Sequence, residues 1–391
     1  MKKFFLLILF VGVNYCSQAQ QTLWNINHLK QAPEYHWLNS DTAKVREVIY
    51  IGEAYGKLSQ TQVFAYYATP GTISGDKSKD HNLPAIVLVH GGGGGAIKEW
   101  VSIWAKRGYA AISMDLSGNG VNGKPLSCGG PSQDPIAKFT SIDSATDKQW
   151  VYHSVCNVIL AHSLIRSFKE VNANKTAITG ISWGGYLTGI VAGLDDRFKA
   201  AVPVYGCGFI YLPGGYFYNK DFGSMTVDQK KRWTKQYDAS HYIINAKIPF
   251  LWVTGTKDPF YPPNSLSMTS NLVRKHSNYL ITTTMTHGHP QGWAPREIGV
   301  FIDHYLKGTP ALPQVASVES TSENIYAEVT GATKLNVASV SYTTDTVLPY
   351  SSRIWQTIPA TVQKNNITAP PLPENTTIWL INVIDDKGMT I

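Results

Sequence analysis

Residues 178–186 read Ile-Thr-Gly-Ile-Ser-Trp-Gly-Gly-Tyr, a Gly-x-Ser-x-Gly pentapeptide set between a short apolar run of strand character and a stretch able to form a helix. A serine in that setting stands on a sharp strand-to-helix turn with a strained backbone. Gly180 and Gly184 remove the side chains that would clash in so tight a bend. The helix that follows directs its N-terminal N–H groups at the turn and favours negative charge there. Ser182 is therefore the candidate nucleophile. Five residues with three fixed positions also fit a plain small-residue turn, so the neighbourhood has to decide.

Upstream, the apolar run 85–89 ends in His90-Gly91-Gly92-Gly93-Gly94-Gly95. Acyl transfer builds charge on an oxygen, and backbone N–H groups reach that oxygen only where no side chain intervenes, which glycine allows. No Gly-Lys-Ser/Thr follows and no Gly-x-Gly-x-x-Gly helix is present, so a phosphate cradle is the weaker reading. The expected donors are the Trp183 N–H and an N–H of Gly91 or Gly92. His90, just before the glycines, reads as a residue that fixes the loop.

A hydrolytic serine needs a base and an orienting acid, arranged along such a chain as Ser, then Asp or Glu, then His. The strand-like run 249–254 is followed by Gly255-Thr256-Lys257-Asp258-Pro259, which sets Asp258 at a strand's C-terminal end. The alternative for Asp258 is a turn-forming residue before proline. The next strand-like run, 279–285, leads into Thr286-His287-Gly288-His289-Pro290. His289 follows a glycine and sits further past the strand, so it is expected to be the base. His287 is the competing candidate, and the histidine that is not the base would support the loop or face substrate.

Together these residues resemble the α/β-hydrolase fold. More narrowly, His90 with its glycines, Glu99-Trp100, Arg107-Gly108-Tyr109, the run Gly180 to Thr188, Asp195-Asp196-Arg197-Phe198 and Gly292-Trp293-Ala294-Pro295-Arg296-Glu297-Ile298 resemble dienelactone-hydrolase-like and acetylxylan-esterase-like bacterial esterases. They overlap the catalytic domains of prolyl-oligopeptidase peptidases. The likeness spans roughly residues 60 to 310. It implies a triad of Ser182, Asp258 and a histidine of the 287/289 pair, with no metal and no cofactor. Dienelactone hydrolases proper carry a cysteine nucleophile, and the serine here points to ester substrates instead.

The wider chain fits an α/β class with a doubly wound, mostly parallel sheet. Apolar runs at 85–89, 110–114, 176–179, 200–204 and 250–254 alternate with helix-capable stretches. Ile97, Trp100, Val101 and Trp104 form one helical stripe, and Val151, Val155, Val158, His162 and Ile165 form another, in which His162 reads as a packing histidine. Two irregular inserts, 115–145 and 205–240, follow strands that should end near the elbow and would wall a substrate site. The second carries Tyr205, Phe209, Tyr211, Tyr216, Phe217, Tyr218 and Trp233, whose rings would either meet sugar or pack the insert's own core.

Pro310 and Pro313 mark a boundary. The catalytic unit is expected over 20–310, and 311–391 reads as a small all-β, sandwich-like piece with strands near 325–329, 335–342 and 378–383. Tyr342-Thr343-Thr344-Asp345 and Arg353-Ile354-Trp355 resemble the C-terminal β domain of PhoPQ-activated pathogenicity-related-like exported proteins. At the other end, Met1-Lys2-Lys3, the apolar run 4–13 and Ser17-Gln18-Ala19 have the form of a signal peptide over 1–19. Export to the periplasm or medium is expected, and the bulky Tyr15 before Cys16 speaks against a lipoprotein.

Of 391 residues, 43% are hydrophobic and 16% charged, which suits a folded enzyme and excludes a disordered chain. The net charge of +7 includes Lys2 and Lys3, and no basic block marks a nucleic-acid face. The expected partner is a small-molecule or oligosaccharide ester, without stable membrane insertion. Past the leader remain Cys128, Cys156 and Cys207, an odd number. A Cys128–Cys207 bridge is compatible with their loop positions, Cys156 falls in a helical stripe, and none has metal-ligand spacing.

Overall fold

The computed structural model describes residues 23–331 and 334–391, so the expected leader, with Cys16, lies outside the described residues. Nine strands form the main sheet: β1 (Tyr35–Trp37), β2 (Arg46–Gly52), β3 (Thr61–Ala68), β4 (Leu83–Val89), β5 (Ala110–Met114), β6 (Val171–Ile181), β7 (Ala200–Val204), β8 (Phe250–Gly255) and β9 (Ser277–Thr282). Their order is β1-β2-β3-β5-β4-β6-β7-β8-β9. The ladders from β5 through β9 are parallel, whereas β1, β2 and β3 join antiparallel at one edge.

The parallel strands carry near-continuous apolar runs because helices cover both faces. Every residue of β5, β7 and β8 is buried. The helix Lys98–Lys106 buries Trp100, Val101 and Trp104, the stripe read from the sequence. The helix Trp150–Ser167 is buried without interruption from Val155 to Ile165. Within it His162 hydrogen-bonds Asp195 at 2.7 Å and Thr176 at 2.9 Å and stacks on Phe198 with ring centroids 3.6 Å apart. All its polar capacity is met inside the core, as a packing histidine requires.

The C-terminal part is all-β. Strands β10 (Gln314–Ser320), β11 (Ile325–Thr330), β12 (Leu335–Thr343), β13 (Gln356–Gln363), β14 (Asn366–Ala369) and β15 (Ile378–Asp385) form a six-stranded sheet in the order β10-β11-β14-β13-β12-β15. All its ladders are antiparallel, and β11 alternates buried and exposed residues along its length. This sheet is tied to the first by Asn382 donating to the Ile281 carbonyl at 2.8 Å and by the Thr390 N–H donating to Glu297 at 2.8 Å. Among the described residues no helix is long and apolar enough to cross a membrane.

The three cysteines past the leader are free thiols, which corrects the suggested Cys128–Cys207 bridge. The Cys128 carbonyl accepts from the Gln62 N–H on β3, whereas Cys207 follows β7. Four strand spacings of roughly 4.8 Å separate those two strands, far beyond the reach of a disulfide.

Candidate active site

Ser182 follows β6 directly and caps the helix Trp183–Leu194, with φ 59° and ψ −118°. A non-glycine residue at that φ stores backbone strain, which the packing around it has to hold. The packing is tight. A Cβ on Gly180 would stand 2.1 Å from the Gly184 carbonyl oxygen, and one on Gly184 would stand 1.9 Å from the Val89 carbonyl oxygen at the end of β4. Both glycines of the pentapeptide are therefore sterically required, and the elbow is pressed against the mouth of the glycine loop.

Asp258 lies past the end of β8, and only 3% of it is exposed. Its Oδ1 accepts from the N–H groups of Phe260 at 2.7 Å and Tyr261 at 3.1 Å, which fixes the carboxylate and leaves Oδ2 to the histidine loop. His287 fills that place. Its Nδ1 is 2.8 Å from Asp258 Oδ2 and its Nε2 is 2.9 Å from Ser182 Oγ. The expectation that set His289 here is corrected: the loop turns at its first histidine, and His287 stands between acid and serine.

Two aromatic rings and one hydroxyl hold His287 in place. Tyr205 and Phe260 lie 4.4 and 4.6 Å from it, centroid to centroid. The Tyr205 hydroxyl donates to the carbonyls of Thr286 at 2.8 Å and Gly288 at 3.4 Å, one on each side of the histidine. Tyr205 itself has φ 65°, a second strained non-glycine residue at the mouth of the sheet. Nothing local in the sequence announces this tyrosine. Its position directly after an apolar strand, on a carboxyl end of the sheet, was the available signal.

His289 turns the other way. Its Nε2 accepts the Gly91 N–H at 2.9 Å, so it must be neutral with its proton on Nδ1. Burial, then the neighbouring His90 and His287, push its pKa down to about 4, which keeps it neutral. His90 closes the other side of the loop. Its Nδ1 donates to the Gly91 carbonyl at 2.7 Å while its Nε2 accepts the Leu116 N–H at 3.0 Å, and burial lowers its pKa to about 4 as well. The Gly91 N–H is thus committed to His289. The N–H groups of Gly92 and Trp183 have no partner among the described residues, which leaves these two to meet an oxyanion.

The inserts cover this region with aromatic packing. Phe139 stacks on Trp233 at 5.3 Å and meets Trp183 edge-on at 5.6 Å, and Phe217 and Phe222 join them. Phe217, Phe222 and Trp233 are buried, so these rings pack the inserts' own core against Trp183, whereas Tyr216 and Tyr218 are exposed. Chemically, the arrangement supplies a serine hydroxyl whose proton can pass to an imidazole held by a fixed carboxylate, beside unpartnered N–H donors. That is the equipment for acyl transfer through a covalent intermediate.

Comparison with known proteins agrees with this fold. The model of the prolyl oligopeptidase family matches residues 140–304, and that of the acetyl xylan esterase (AXE1) family matches residues 19–210. The chain is similar to the acetyl xylan esterase of Paenibacillus sp. R4, with a TM-score of 0.56 and 21% identity over 72% of this chain and 92% of the other. For acetyl xylan esterase 1 of Thermoanaerobacterium sp. JW/SL YS485 the TM-score is 0.55 and the identity 16%, with the same coverage of both chains. The acylaminoacyl peptidase of Pyrococcus horikoshii has a TM-score of 0.51 and 17% identity, over 73% of this chain but 44% of the peptidase. The sheet order, the elbow on its sixth strand and the two overlapping family matches place the chain among the α/β-hydrolases, as a serine hydrolase.

Proposed function

We propose that the protein is an exported serine esterase that removes acyl groups, acetyl foremost, from carbohydrate. The observation that carries the reading is the hydrogen-bonded series Asp258, His287, Ser182, at 2.8 and 2.9 Å. His287 Nε2 takes the Ser182 proton as Oγ attacks the ester carbon, and the N–H groups of Gly92 and Trp183 receive the charge that forms on the carbonyl oxygen. When the intermediate collapses, the imidazolium returns that proton to the departing alcohol and the acyl group stays on Oγ. Water then repeats the sequence: His287 takes its proton, the oxygen attacks the acyl carbon, and the carboxylic acid leaves as Ser182 regains its hydrogen. Asp258 keeps the imidazole in the tautomer that points a lone pair at Oγ.

Ester rather than peptide chemistry is supported by the acetyl xylan esterase family match and by the near-complete coverage of the two esterases, against less than half of the peptidase. The peptidase reading has its own support, because the prolyl oligopeptidase match spans Ser182, Asp258 and His287. A panel of 4-nitrophenyl acetate, acetylated xylo-oligosaccharides and peptide 4-nitroanilides separates them. Release of acetate from the acetylated sugars is expected. Turnover of the anilides with none of the acetyl esters would transfer the assignment to a peptidase.

A further inference from the structure

Lys138 is an ammonium beside the acyl-transfer site that forms no ion pair or hydrogen bond through Nζ among the described residues. It ends the short helix Pro135–Lys138 in the first insert. Its Nζ lies 3.8 Å from where a Cβ on Gly92 would stand and faces the indole rings of Trp183 at 5.4 Å and Trp150 at 5.7 Å. No hydrogen-bond acceptor and no carboxylate in ion-pair reach meets it among the described residues. The nearby Asp134 is spent on its own helix, where Oδ1 caps the Ala137 N–H at 2.9 Å and Oδ2 accepts from Ser132.

The backbone that carries Lys138 is not free to move the charge elsewhere. The Trp233 indole N–H donates to the Lys138 carbonyl at 2.7 Å, and the next residue, Phe139, is the buried plug of the aromatic cluster. Burial lowers the lysine's pKa, the mark of an ammonium partly stripped of water, while the carboxylates of Asp221 and Asp134, neither within ion-pair reach, act to raise it. Two indole faces offset part of that cost through cation–π contact but satisfy none of its N–H donors. A partly desolvated ammonium held at this spot is complementary to an anion arriving from solvent, and substrate is the group that can bring an anion there in each catalytic cycle.

We propose that Lys138 selects esters whose alcohol part carries a carboxylate, which, resting on the carbohydrate reading above, means acetylated uronic-acid sugars. The carboxylate meets Nζ over the glycine loop while the acetyl ester lies against Ser182. A charge-assisted hydrogen bond of this kind changes affinity by about ten- to a hundredfold.

The test compares acetylated oligogalacturonides with their methyl-esterified, uncharged counterparts. In the wild type the acidic form is expected to have the higher kcat/KM by about tenfold or more, mainly through KM. Lys138→Gln should abolish that ratio, and Lys138→Arg should retain most of it. An unchanged ratio in Lys138→Gln overturns the proposal, whether both substrates slow together, as charge acting on the oxyanion would produce, or neither does. A second measurement needs neither a variant nor glycan turnover: galacturonate against its methyl ester as competitive inhibitors of 4-nitrophenyl acetate hydrolysis. Tighter inhibition by the acid, weakened by added salt, is expected, and equal inhibition contradicts the role of Lys138. If no acetylated sugar is hydrolysed but the inhibitor preference holds, the carbohydrate-ester reading fails and the anion site stands.

Discussion

Two histidines two residues apart on one loop serve opposite halves of the site. His287 lies against Asp258, Ser182 and the aromatic rings of Tyr205 and Phe260, where it can take and return a proton. His289 lies against the glycine loop, where its neutral ring accepts the Gly91 N–H and holds the backbone next to Gly92. The difference lies in the partner each ring finds. A histidine bonded to a carboxylate and a hydroxyl is equipped for proton transfer. One bonded to an amide N–H and kept neutral by burial is a brace.

The sharpest way to break the proton-transfer half is Ser182→Ala, expected to lower kcat/KM for 4-nitrophenyl acetate by about 10⁴-fold or more while far-ultraviolet circular dichroism stays unchanged. Retained turnover above a hundredth of wild type would refute the serine's role. Asp258→Asn tests the orientation of His287 next. It is expected to cost on the order of 10²- to 10⁴-fold in kcat, because the amide permits the wrong imidazole tautomer.

Tyr205→Phe removes only the hydroxyl that ties the carbonyls on either side of His287. A fall in kcat of roughly three- to tenfold with little change in KM is expected, since an ordinary hydrogen bond is worth about 1 kcal/mol. A wild-type kcat in this variant would mean that ring packing alone positions the histidine.

The brace half is sharpened by pH. His90 and His289, which each accept a backbone N–H, have folded-state pKa values lowered from 6.5 to about 4. Between those values the unfolded chain binds protons that the folded chain does not, so stability falls as pH drops from about 6.5 toward 4. For His90, which is fully buried and accepts the Leu116 N–H, the loss by pH 5 is on the order of 1–2 kcal/mol. Thermal unfolding followed at pH 7, 6 and 5 should show the midpoint dropping by several degrees, and a flat profile would contradict the neutral, accepting state of these rings.

The elbow and the glycine loop were legible in the sequence because each rests on a steric demand that only glycine meets, and the glycines that meet it stand close together in the chain. Gly180 and Gly184 have carbonyl oxygens about where their side chains would be, and the stretches that lead into the elbow and the loop, 176–181 of β6 and 85–89 of β4, are buried throughout. The choice between His287 and His289 was not local. It depends on where the chain turns after β9, and that path is set by Tyr205, a residue 82 positions earlier that bonds the carbonyls around His287. The antiparallel edge was missed for a related reason. β2 and β3 mix Arg46, Glu47 and Gln62 with Tyr50, Tyr66 and Tyr67, so they lack the uniform apolar signature that identified the parallel strands. The aromatic residues of the second insert, read as either a sugar platform or a packing core, divide: Phe217 and Trp233 bury against Phe139 and Trp183, Tyr205 packs on His287, and Tyr216 and Tyr218 stay exposed.

The central claim is that His287 moves the proton and His289 holds the loop. Purified His287→Ala and His289→Ala, assayed side by side with 4-nitrophenyl acetate at pH 8, test it most directly. His287→Ala is expected to fall to the level of Ser182→Ala, whereas His289→Ala keeps its turnover within roughly ten- to a hundredfold of wild type, the loss expected when an oxyanion donor is loosened rather than the base removed. An inactive His289→Ala beside an active His287→Ala would reverse the two assignments.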